Sequence, residues 1–232
     1  MPRFYRCRLA AGIALALLTF GGAHAQTPPS ESEVARYTGL HADAASGEVV
    51  GIAAAALARS DFNVRDGNGR TPLHVAAFRK QYAAARALLT GGADANALDR
   101  QRYDAVTIAA VANDVEMLKI VLAGGNSAKN TTSPYDGTAL IAAAHLGHVE
   151  VVKMLIAAGA PLDHVNNLGW TALIESIVLG NGGPAHTETL QALVAAGANV
   201  NLADKAGVTP LALARQRGYV AMVAILERAG AR

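Results

Sequence analysis

A repeat restricts this chain's fold more than any other feature. A threonine or aspartate followed two residues later by an aliphatic residue returns as Thr38/Leu40, Thr71/Leu73, Asp104/Val106, Thr138/Leu140, Thr171/Leu173 and Thr209/Leu211. The steps between copies are 33, 33, 34, 33 and 38 residues. A unit that short cannot enclose a core of its own, so the copies must stack and bury a shared seam, with polar covers expected at the two ends. Nine residues after each anchor stand Gly47, Lys80, Asn113, Gly147, Gly180 and Gly218, and Gly92, Gly125, Gly159 and Gly197 follow later in their units. Eight residues before the anchor, the later copies carry Asn63, Asn96, Asn130, Asp163 and Asn201.

Each copy reads as two short helices and a turn-rich finger. The hydroxyl of Thr71 caps a helix and Pro72 takes its first position, where a missing N–H costs nothing. Alanines such as Ala76, Ala77, Ala109, Ala110, Ala143 and Ala144 run through the first helix and allow close approach, while Leu88, Leu118 and Leu155 supply bulk in the second. A left-handed glycine ends the second helix, and runs such as Asp66-Gly67-Asn68-Gly69 favour turns. Helices of two to three turns are marginal alone, so the neighbours must hold them.

On these residues the chain resembles the ankyrin repeat family. Thr71-Pro72-Leu73-His74-Val75-Ala76-Ala77 is similar to the signature of its first helix, Gly147-His148-Val149-Glu150 to the start of the second, and Gly92-Ala93-Asp94-Ala95-Asn96 to the end of the repeat. The resemblance covers Tyr37 to the C-terminus and implies an all-α solenoid of about six helix-turn-helix units with finger-like turns, spanning residues 35–232. The first copy matches loosely: Asp43 stands where a small apolar residue is expected, and its second helix is read as slipped by one. Asn181 to Ala185 is an insertion that lengthens the turn between two helices and nothing else. Arg102 and Asp136-Gly137 replace or displace the usual fingertip glycine, so those two fingertips are expected to differ in shape.

Residues 1–25 read as a secretory signal. Arg3, Arg6 and Arg8 precede an apolar run from Leu9 to Phe20, and Ala23-His24-Ala25 has the small-x-small form of a cleavage site. The run is shorter than the roughly 20 residues of a spanning helix, so no membrane insertion is expected after cleavage. Three of the 20 Lys and Arg lie in this leader, leaving 17 against 18 Asp and Glu, and the one cysteine, Cys7, lies there as well. A near-neutral exported chain with no basic run is a poor nucleic-acid binder. Without thiols the mature chain rests on packing alone. Residues 26–34, with Pro28, Pro29, Glu31 and Glu33 and no apolar face, read as a flexible linker.

Every candidate for chemistry meets a plainer reading. The resemblance gives His41 and His74 one structural role, bonding to finger backbone, while His148 and His186 share a Gly-His slot before the second helix. His145 and His148 could share a metal only across a turn, without an accompanying Cys or His set. No nucleophile elbow or phosphate loop occurs, Asp66, Asp99 and Asp204 occupy one turn position, and Glu150 and Glu188 sit where the helix dipole favours acids. The expectation is therefore a non-enzyme without cofactor or metal.

What remains is the concave surface, where the resemblance places binding. Its early positions are Arg70, Phe78 and Arg79, then Arg100, Gln101 and Tyr103. The later ones are Tyr135 and His145, then Leu168, Trp170 and Leu179, with Arg217 last. Aromatic residues and arginine dominate interface hot spots. Arg70, Arg79 and Arg100 are expected to make the first half of the groove basic and suited to an acidic partner. The resulting reading is a monomeric periplasmic module that binds a protein, scaffolding or protecting an exported enzyme. The alternative is an immunity protein that neutralises a delivered toxin.

Overall fold

The computed structural model describes residues 26–232, so the leader and its cleavage site lie outside the described residues. Thirteen α-helices follow in order. After α1 (Glu31–Val34) they alternate between two rows. The inner row is α2 (Gly39–Ser46), α4 (Pro72–Phe78), α6 (Ala105–Val111), α8 (Ala139–Leu146), α10 (Ala172–Val178) and α12 (Pro210–Gln216). The outer row is α3 (Val49–Leu57), α5 (Tyr82–Gly91), α7 (Val115–Ala123), α9 (Val149–Ala157), α11 (Pro184–Ala195) and α13 (Val220–Arg228). Each helix packs on its partner and on the same-row helices of adjoining units, which makes one continuous core. Among the described residues there is no strand, only the isolated bridge of Thr132 with Gly137. None of their helices is long and apolar enough to cross a membrane.

The division of residue sizes explains the packing. Ala76, Ala77, Ala109, Ala110, Ala143 and Ala144 are buried in the inner row, where no longer side chain holds neighbouring backbones apart. Leu88, Leu118, Leu155 and Leu193 fill the seam from the outer row. Hydroxyls of Thr138, Thr171 and Thr209 accept N–H bonds from the third residue of their helices, and Asp104 does the same for Thr107. Thr71 departs from the expected cap: its hydroxyl bonds Nδ1 of His74 at 2.8 Å, and that nitrogen also accepts the Thr71 N–H at 3.1 Å. Burial holds the His74 ring below its usual pKa, so Nε2–H donates to the carbonyl of Tyr103 as a neutral imidazole. Nε2 of His41 bonds the carbonyl of Arg70 at 2.9 Å.

Fingers are closed by a side chain that accepts two backbone N–H bonds. Asp66 takes those of Asn68 and Arg70, Asp99 those of Gln101 and Tyr103, Asn166 those of Leu168 and Trp170, and Asp204 those of Ala206 and Val208. Arg102 takes the left-handed place of Gly69 and Gly169, with φ of 66° against 74° and 88°, so that finger keeps the common shape despite its missing glycine. The next finger does differ: Ser133 replaces the acid, and both Ser133 and Asp136 are left-handed.

Four other expectations change. Helix α3 begins in register with α5 and α7, so the first unit is not slipped; Gly51 instead makes room for Asp43, whose carboxylate stands 2.5 Å from where a Cβ would lie. The first outer helix is not a polar cover either, since Val50 and Leu57 are 76% and 89% exposed. The insertion does more than lengthen a turn: α11 starts at Pro184 and runs 12 residues, and the left-handed residue moves from Gly180 to Gly182. Finally, residues 26–34 are docked rather than a loose linker. Ser30 and Glu33 form a capping box on α1, Glu33 reaches Arg70 and Asn68 at 2.7 Å each, and Thr27 contacts both Arg70 and Gln101.

Candidate functional site in the concave groove

A cleft of about 490 Å³ opens where α4, α6, α8 and α10 meet the fingers. This lies within the range of about 300–1,000 Å³ for ligand clefts. Ile108, Val111 and Ile141 form apolar wall, while Phe78, Tyr103 and Tyr135 add rings. Leu146, Leu168 and Leu179 stand at its lip, 41%, 37% and 36% exposed. Gln26 and Pro28 of the docked N-terminal segment close one end.

The floor carries Glu175, a residue that the sequence reading passed over. Its side chain is 5% exposed. Oε1 accepts a 2.9 Å bond from Nδ2 of Asn166, whereas Oε2 is buried and has no hydrogen-bond partner. Nδ1 of His145 stands 3.6 Å from Oε2, within Coulomb reach and beyond a hydrogen bond. Burial pushes the Glu175 carboxyl up to about 7 against the opposing effect of the Asn166 bond. Burial, and then the nearby His186, holds His145 below its usual value. Both groups thus lean toward neutrality near neutral pH.

Glu175 and Asn166 depart from the repeat together. Equivalent positions to Glu175 hold Ala42, Val75, Ile108, Ala142 and Leu213, while the finger position of Asn166 is Asp66, Asp99 and Asp204 in three other fingers and Ser133 in the fourth. An aspartate there would set a second carboxylate against the first. Asn166 still closes its finger through Oδ1 and keeps an N–H for Glu175. An acid at an otherwise aliphatic position was the signal in the sequence.

The predicted residues divide. Phe78, Tyr103, Tyr135, His145, Leu168 and Leu179 line the cleft, although Tyr103 is only 6% exposed and belongs equally to the core. Trp170 is partly buried outside the lining, Gln101 is tied to the N-terminal segment, and Arg217 is exposed beyond α12. The basic first half is overturned. Arg70 is 1% exposed, held by Glu33 and Asp66 at 2.7 Å each, and Arg79 pairs with Glu31 at 2.6 Å. Of the three arginines only Arg100 projects into solvent.

His145 and His148 have separate neighbours, Glu175 for the first and the Ala110 carbonyl for the second. Among the described residues no group of three or more His, Cys, Asp and Glu could hold a metal ion.

The two helix rows, the fingers and a cleft on their concave side define a solenoid repeat protein. The family model for ankyrin repeats matches residues 10–99 and 106–204, and the chain belongs to this family. It is 34% identical to the ankyrin repeat protein YahD of Escherichia coli strain K12 over 172 residues, 74% of this chain and 85% of that protein. An ankyrin repeat domain of Acinetobacter baumannii AYE superposes with a TM-score of 0.79 at 44% identity, covering 83% of this chain and 98% of that one. The ankyrin repeat domain of Bcl-3, a member of the IkappaB protein family, gives 0.75 at 28% identity over 85% and 88%. Ankyrin repeat domains are in general non-catalytic modules that bind proteins.

Proposed function

We propose that this chain is an exported module that binds one partner protein in its concave groove, in the periplasm, as a monomer, and that it scaffolds or protects an exported enzyme. The observation that carries the reading is the cleft between α4 and α10, where Leu146, Leu168 and Leu179 expose apolar surface around a formed pocket. Exposed leucines gathered on one concave face provide a preformed anchor site, and a stable complex built on it would bury about 1,200–2,000 Å². Export is supported by the basic, apolar and small-x-small order of residues 1–25.

The test is retention of a protein from periplasmic extract by the tagged chain. The double variant Leu146→Asp, Leu168→Asp puts charge on the lip without touching the core. It is expected to lose at least ~2 kcal/mol of binding, about thirtyfold in Kd, while keeping the same thermal unfolding. Undiminished retention by that variant would remove the groove from the site.

A further inference from the structure

We propose that the floor of the groove is a receptor for the ammonium group of a lysine side chain on the partner, with Glu175 as its counter-ion. The inference rests on the reading of the groove as a protein-binding face, and it reverses the acidic partner that the arginines suggested.

Three observations carry it. First, Oε2 of Glu175 is a buried acceptor with no hydrogen-bond donor, at the bottom of an apolar cleft. A buried acceptor left unmatched is costly, and a matching donor from a partner removes that cost. Second, Oε2 is the oxygen without a donor, while Oε1 already accepts one bond from Asn166. The two-pronged fork of a guanidinium needs both oxygens, whereas an ammonium is a compact charge that can use one. Third, the walls suit the rest of a lysine: aliphatic Ile108 and Ile141 match its methylene stem, and the rings of Phe78 and Tyr135 favour a nearby cation. His145, half exposed beside Oε2, is the side chain that must turn aside on entry.

The probe is N-acetyl-lysine methylamide, titrated at pH 8 into the isotope-labelled protein while the backbone amides of residues 166–170 are followed by NMR. Controls are the norleucine analogue, which has the apolar stem without the charge, and the glutamate analogue. The lysine probe is expected to saturate with a Kd on the order of 1–10 mM, at least tenfold tighter than either control. Glu175→Gln keeps the shape and the Asn166 bond and is expected to weaken it about tenfold or more.

Equal binding by wild type and Glu175→Gln, a glutamate or norleucine probe that binds as well as lysine, or no saturable shift with lysine would each overturn the proposal. If the lip variant loses the retained partner while the lysine probe fails, the lysine receptor alone falls. If the lip variant keeps its partner, the groove reading itself fails.

Discussion

At the scale of single residues the buried carboxyl of Glu175 has the most direct consequence for stability. Burial raises its pKa to about 7 from an ordinary value of 4.5, so between those values the folded chain holds a proton that the unfolded chain has lost. Stability from this group is therefore complete below pH 4.5 and is lost as pH rises through 7. Glu175→Gln, which cannot ionise, is expected to match wild type near pH 4.5 and to exceed it at pH 8 by an amount on the order of 2–3 kcal/mol. Urea melts at the two pH values measure this, and a difference that does not change with pH would show that the carboxyl stays ionised in the fold. The sequence held part of this site openly: Phe78, Tyr135, His145, Leu168 and Leu179 follow from repeat position once the family resemblance places binding on the concave face. Glu175 and Asn166 required comparison of each copy with the others, because neither belongs to a chemical motif.

At the scale of elements, the N-terminal segment shows where local composition misleads. Residues 26–34 lack an apolar face, yet their acids find cations 37 to 48 positions away in sequence, Glu33 on Arg70 and Glu31 on Arg79. No pattern within the segment reveals such a pairing. The backbone N–H of Ser30 and then its hydroxyl, with lesser help from Arg70, hold Glu33 below the usual carboxylate range, so it stays ionised through mild acid. Arg70→Ala leaves Asp66, 7% exposed, and Glu33 without their shared cation. It is expected to cost about 3 kcal/mol, in the range for breaking a buried ion pair, and to release the segment to proteolysis near Thr27. Stability within about 0.5 kcal/mol of wild type, with the segment still protected, would show that the cluster contributes little. The helices themselves were legible because a capping residue recurs at all six anchors, with alanine pairs and terminal glycines in several units; Thr71 escaped because its hydroxyl bonds the side chain of His74 three residues on, and the insertion because Pro184 and Ala185 join α11.

At the scale of the whole molecule, periodic burial makes a rigid curved face out of units that could not fold singly. The spacing of the anchors was enough to predict stacked pairs of helices, with the family resemblance supplying the side on which the cleft lies. It could not give the charge of that cleft, which depends on which arginines the chain neutralises with its own acids. The most direct test of the account is hydrogen exchange of the protein with and without the partner it retains. Slower exchange is expected at the finger amides of residues 132–137 and 166–170 and at the C-terminal ends of α8 and α10. Protection confined to the outer helices α5, α7 and α9, with those fingers unchanged, would contradict it.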